Sequence, residues 1–190
     1  MMHRRRFLAG LAAVCPAAAL AQAASNASAL RALAEGGMVA LIRHAAAPGT
    51  GDPPGFRLDD CSTQRNLSEA GRRQAAELGR MLRQAGVRVT DLRSSRWCRA
   101  SQTAELAFPD IPVQRDPALD SFFDEPERQQ QQTDQIRALM ASWRGRDGAL
   151  VLVTHQVNIT AATGVYPAEG EIVVVQPTEA DVAVLGRVRV

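Results

Sequence analysis

Met38-Val39-Ala40-Leu41-Ile42 is a continuous apolar run that stops abruptly at Arg43-His44. Such an unbroken run, too short for a helix, marks a strand buried on both faces of a sheet. A second run, Ala149-Leu150-Val151-Leu152-Val153, likewise gives way to Thr154-His155. Strands buried on both sides need helices above and below. The two runs therefore predict an α/β fold, a three-layer α/β/α sandwich with a mostly parallel central sheet. In such sheets ligands collect at the carboxyl ends of the strands. His44 and His155 stand there.

Working outward, residues 47–61 are rich in Gly, Pro and Asp and read as a loop. Ser68 is placed to cap a helix whose buried face is Leu78, Met81, Leu82 and Ala85. Gly86 ends it. Residues 87–92 are expected as a strand, followed by a helix that starts near Ser101 and breaks before Pro109. A short strand over 111–113 leads to an acidic, aromatic loop over 119–127. Helices over 128–144 and 157–163 and strands over 171–175 and 182–188 complete the pattern. No repeat or linker interrupts it, so residues 24–190 are expected to form a single domain.

The N-terminus has Arg4-Arg5-Arg6-Phe7-Leu8 before an Ala-rich apolar run that ends in Ala21-Gln22-Ala23. That pattern predicts a cleavable export signal over residues 1–23, of the twin-arginine type. The run is too short to span a membrane comfortably. A periplasmic or secreted destination follows, with no stable membrane insertion after cleavage. Such a compartment is oxidising. Loss of Cys15 with the signal would leave Cys61 and Cys98, which are expected to pair; two free buried thiols is the other arrangement the sequence allows.

Hydrophobic residues make up 46% of the 190-residue chain and charged residues 22%, a globular rather than disordered composition. The net charge is +2, with no basic block after the signal, which argues against nucleic acid as a partner. All 22 basic side chains are arginine and none is lysine. That bias favours phosphate binding only weakly. Of three histidines, His3 belongs to the signal, so the mature chain keeps only His44 and His155. Two histidines without a carboxylate cluster are a poor ligand set, and neither a metal nor a cofactor is expected.

Four segments carry a family resemblance. Leu41-Ile42-Arg43-His44-Ala45 resembles the opening motif of the histidine phosphatase superfamily, which includes the phosphoglycerate mutases. The helix signature is matched by Asn66-Leu67-Ser68-Glu69-Ala70-Gly71-Arg72-Arg73-Gln74-Ala75. Ser94-Ser95-Arg96-Trp97-Cys98-Arg99 resembles the segment that bears a second phosphate-binding arginine, and Val151-Leu152-Val153-Thr154-His155 the segment with the second histidine. The resemblance implies a phosphoglycerate mutase-like fold and a phosphatase that works through a phosphohistidine on His44. Arg43, Arg99 and His155 would hold the phosphoryl oxygens, joined by Arg65. Neighbouring arginines would keep His44 neutral and nucleophilic.

The chain departs from the family pattern at Ala45 and Gln156, where glycine is frequent, and at Ser121, where related enzymes place a glutamate. Asp120 or Asp124 is then the candidate proton donor to the leaving group. Phe122 and Phe123 are expected in the core rather than at the site. The substrate class is a small phosphorylated compound or a phosphorylated protein, attacked as a phosphomonoester or phosphoramidate. The alternative function is a catalytically weak or inactive periplasmic module that binds phosphoanions.

Overall fold

The computed structural model describes residues 16–179 and 181–190. In chain order the elements are α1 (Pro16–Glu35), β1 (Val39–Arg43), α2 (Glu69–Gln84), β2 (Val89–Ser94) and α3 (Cys98–Ala107). They are followed by β3 (Gln114–Arg115), α4 (Gln129–Ala141), β4 (Ala149–Thr154), α5 (Gln156–Thr163), β5 (Ile172–Pro177) and β6 (Val182–Val188). The six strands form one sheet in the order β3-β2-β4-β1-β5-β6. The pairs β3–β2, β2–β4 and β4–β1 are parallel, whereas the pairs β1–β5 and β5–β6 are antiparallel, so β5 alone is reversed.

Alternation along each strand divides the core into two layers. Ala40 and Ile42 of β1 pack in a cluster with Leu33 of α1, Leu78 and Leu82 of α2 and Ala100 and Ala104 of α3. Val39 and Leu41 pack in the opposite cluster with Ile136 and Met140 of α4 and Ile159 of α5. Both faces of the sheet are thus covered, which makes the three layers that the continuous apolar runs predict. Each fully buried Leu or Ile contributes about 2 kcal/mol in these layers.

Several boundaries differ from the sequence reading. Residues 87 and 88 are not in β2, because the Val87 amide bonds to Leu82 O and closes the end of α2. Helix α3 begins at Cys98, where Trp97 O accepts from the amides of Ala100 and Ser101. The strand expected over 111–113 is absent there. Pro112 has no N–H to give a ladder, and pairing with β2 falls to Gln114 and Arg115.

Residues 1–15 of the expected export signal lie outside the described residues. Helix α1 continues across position 23, and its later turns bury Ala29 and Leu33. No helix among the described residues is long and apolar enough to cross a membrane. Cys61 and Cys98 form a disulfide across 37 residues, with Cα atoms 5.7 Å apart. The paired arrangement, not the two free thiols, is the one adopted.

Candidate active site

Parallel strands β1 and β4 lie side by side, with Ile42 opposite Val153 and Arg43 opposite Thr154. Their carboxyl ends therefore bring His44 and His155 together, 111 positions apart in the chain but with ring centroids 5.5 Å apart. Both are buried, as is Arg99 in the first turn of α3. All three, with Arg43 and Arg65, line one cavity of about 230 Å³.

The backbone around His44 is clamped from every side. The His44 amide donates to Thr154 O, and the amides of Ala45 and Ala46 donate to Thr103 Oγ1 and Gln74 Oε1, each at 3.0 Å. Gln74 and Thr103 thus serve as struts for the loop that follows the histidine. Gly71 lets α2 press on the same loop, since a Cβ there would lie 2.1 Å from Ala46 O.

Nδ1 of His44 is 2.8 Å from Ala45 O. A carbonyl can only accept, so Nδ1 carries the hydrogen and Nε2 keeps its lone pair. Burial, followed by the charge of Arg99, lowers the His44 pKa to about 3. The ring is therefore neutral throughout the neutral range. Burial also holds His155 well below its usual value, with Arg99 adding to the effect. A negative charge bound beside it would act in the opposite direction.

Nε2 of His155 is 2.8 Å from Ser95 Oγ, which in turn is 3.2 Å from Asp120 Oδ1. Asp120 also accepts from the Arg96 amide and guanidinium, and as an acceptor it takes the Ser95 hydroxyl hydrogen, so Ser95 accepts from His155 Nε2. That leaves Nδ1 as the nitrogen able to take a further proton. Asp120 itself is fully buried and is also held by the amide of Arg96 at 2.9 Å and its Nε at 2.7 Å. It does not line the cavity. Of the two expected proton donors, the structure thus turns Asp120 into an anchor and leaves Asp124 on the cavity wall.

Arg99 meets Asp52, whose two oxygens both lie 2.9 Å from NH1. Burial lowers the Arg99 pKa to about 10, with Asp52 opposing the shift, so the guanidinium remains charged. Asp52 also accepts from Trp97 Nε1 and from the Arg65 amide, both at 3.0 Å. Sequence reasoning missed this residue. An Asp between Gly51 and Pro53 reads as a turn former. Arg65 donates from Nε to Gly51 O at 2.8 Å and from NH1 to Ala47 O. Arg43 donates to Pro167 O at 3.0 Å and approaches Glu169. Nε of Arg43 and Nε of Arg99 are buried without a partner.

Phe122 is buried, as expected, but its neighbour Phe123 is 54% exposed and lines the cavity. Glu125 also lines it, a second acid that sequence reasoning left unassigned, and bonds to Arg128 at 2.9 Å. The arrangement sets a neutral imidazole with a free ring nitrogen, three guanidinium groups and a carboxylate around one small hollow. Chemically, it can bind an anion and attack it.

No curated protein sequence matches the chain. Among solved structures, the protein histidine phosphatase SixA complexed with tungstate superposes with a TM-score of 0.61 at 16% identity, covering 80% of this chain and 96% of its own. A phosphoserine phosphatase from Entamoeba histolytica gives 0.58 at 14% identity, over 79% and 95% of the two chains. The alpha-ribazole phosphatase from Shigella flexneri gives 0.55 at 15%, over 77% and 94%. These likenesses establish a shared fold. In sequence, residues 39–152 match the histidine phosphatase superfamily (branch 1), and the chain belongs to that family.

Proposed function

We propose that this chain is an exported phosphatase that hydrolyses its substrate through a phosphohistidine on Nε2 of His44. The observation that carries the reading is a neutral, tautomer-fixed His44 set in one cavity with the guanidinium groups of Arg43, Arg65 and Arg99. A phosphoryl group, with its charged oxygens, suits such a set of cationic donors.

In the first step Nε2 attacks phosphorus, the bond to the leaving group breaks, and its electron pair departs with that group. Arg43, Arg65 and Arg99 balance charge on the phosphoryl oxygens, and His155, protonated once the dianion is bound, adds a further donor. Asp124 supplies the proton to the leaving atom. In the second step Asp124, now a carboxylate, takes a proton from water as its oxygen attacks phosphorus, and the P–N bond breaks with its electron pair returning to Nε2. Ser95 and Asp120 hold the His155 ring rather than react.

The export reading rests on the N-terminal sequence, and the disulfide is compatible with an oxidising compartment. An inactive phosphoanion-binding module would share the cavity but not the covalent step. The test is a rapid alkaline, denaturing quench, which spares the acid-labile P–N bond, after incubation with a 32P-labelled phosphoester, with mass spectrometry to map the adduct. A labelled His44, lost in His44→Ala along with turnover, is expected. Normal turnover by the alanine variant would overturn the mechanism.

A further inference from the structure

The chain contains five Phe, two Trp and one Tyr, and Phe56, Trp97, Phe123 and Tyr166 all line the one cavity that holds His44. They come from four separate segments, so no local sequence bias gathers them. Trp97 packs edge-on against His155 at 5.6 Å, and Phe56 packs on Trp97 at 5.7 Å. An aromatic wall therefore runs outward from the second histidine. Phe123 and Tyr166 are 54% and 67% exposed, although a Phe ring is usually buried. Large apolar groups left in water around a concave site mark a place for a ligand's apolar part.

Charge narrows the ligand further. Arg43, Arg65 and Arg99 are the cations that line the cavity. Each of them already serves the phosphate site or bonds to the loops around it. The remaining ionic groups on the lining, other than the histidines and Asp52, are Asp124 and Glu125. A second anionic group on the substrate, such as a carboxylate, would meet acids there and no spare cation. A volume of about 230 Å³ has room for a phosphate and one ring-sized group.

Resting on the phosphatase reading, we infer that the substrate is a small monoester whose leaving group carries a flat, uncharged aromatic ring, seated against Phe56, Trp97, Phe123 and Tyr166. The reacting phosphate is its only anion. Stacked or edge-on ring contacts of this kind favour an aromatic over an aliphatic group of equal reactivity by roughly tenfold.

Benzyl phosphate and ethyl phosphate release alcohols of similar acidity, so they differ mainly in the ring. The purified chain is expected to favour benzyl phosphate by roughly tenfold in kcat/KM, and 3-phosphoglycerate is expected to be a poor substrate. Benzylphosphonate and ethylphosphonate, which cannot be cleaved, give the same comparison as dissociation constants by calorimetry. Phe123→Ala and Tyr166→Ala, both at exposed positions, should shrink the benzyl preference. Equal affinity for the two phosphonates, or a preference untouched by both variants, overturns the inference. Selective phosphonate binding without turnover or a His44 adduct would instead sink the phosphatase reading and leave the ring preference standing.

Discussion

Ser95 Oγ lies 2.8 Å from Nε2 of His155, a contact between two buried side chains. Ser95 is tied in turn to Asp120, so the imidazole inherits its tautomer from a carboxylate that never reaches the cavity. Ser95→Ala is expected to lower kcat/KM by roughly tenfold or more. A steady-state pH profile is the discriminating measurement. Loss of the fixed tautomer should move its acidic limb, whereas a purely structural loss would leave the limb in place.

Arg99→Lys keeps a charge but loses the planar guanidinium whose NH1 meets both oxygens of Asp52 and which, in the proposed mechanism, also holds the phosphoryl group. A fall of roughly 100-fold in kcat/KM is expected, with most of it in kcat. Single-turnover kinetics would separate it from weaker binding. An unchanged kcat would remove Arg99 from the transition state.

Both imidazoles have folded pKa values below the usual 6.5. The unfolded chain therefore binds more protons than the folded one below that pH. Stability is fully present above pH 6.5 and is lost as pH falls toward the folded value, which for His44 is about 3. Each shifted imidazole changes stability by about 1.4 kcal/mol per pH unit inside that window. Urea denaturation between pH 7 and pH 4 should show the decline. His44→Gln should make it shallower, and inorganic phosphate should offset part of it. A flat profile would contradict the buried, neutral pair.

The Cys61–Cys98 bond closes a loop that includes Arg65 and the first helix after the site. Chain entropy gives it about 3–4 kcal/mol. The Cys61→Ser/Cys98→Ser variant should melt about 10 °C lower, as should the wild type under reductant. Phosphate affinity should fall as well, because the Cys98 amide bonds to Gln64, next to Arg65. Equal melting points would show the bond to be inert.

The parts of the site that could be read in the sequence are those attached to regular structure. His44, His155 and Arg99 each sit at a strand end or a helix start, and hydrophobic runs locate such points. Asp52 was not legible. Its place is set by Trp97, Arg99 and the backbone of Arg65, all remote in sequence. Asp120 and Asp124 look alike in the text, four positions apart in one acidic loop. Only the packing of Arg96 and Ser95 buries the first and leaves the second facing the cavity. The shift of β2 by two residues has the same origin, since Val87 is taken by the end of α2.

Strand β1 is bonded on both edges, to β4 and to β5. His44 thus rides on the segment of the sheet whose amides should be among the last to exchange with deuterated solvent. Phe56, Phe123 and Tyr166 hang on surface loops that carry no such ladder. On the proposed mechanism, bond-making geometry and ligand choice would be housed in parts of differing rigidity. Mutation could then retune what the mouth accepts while the attacking nitrogen stays where the sheet puts it.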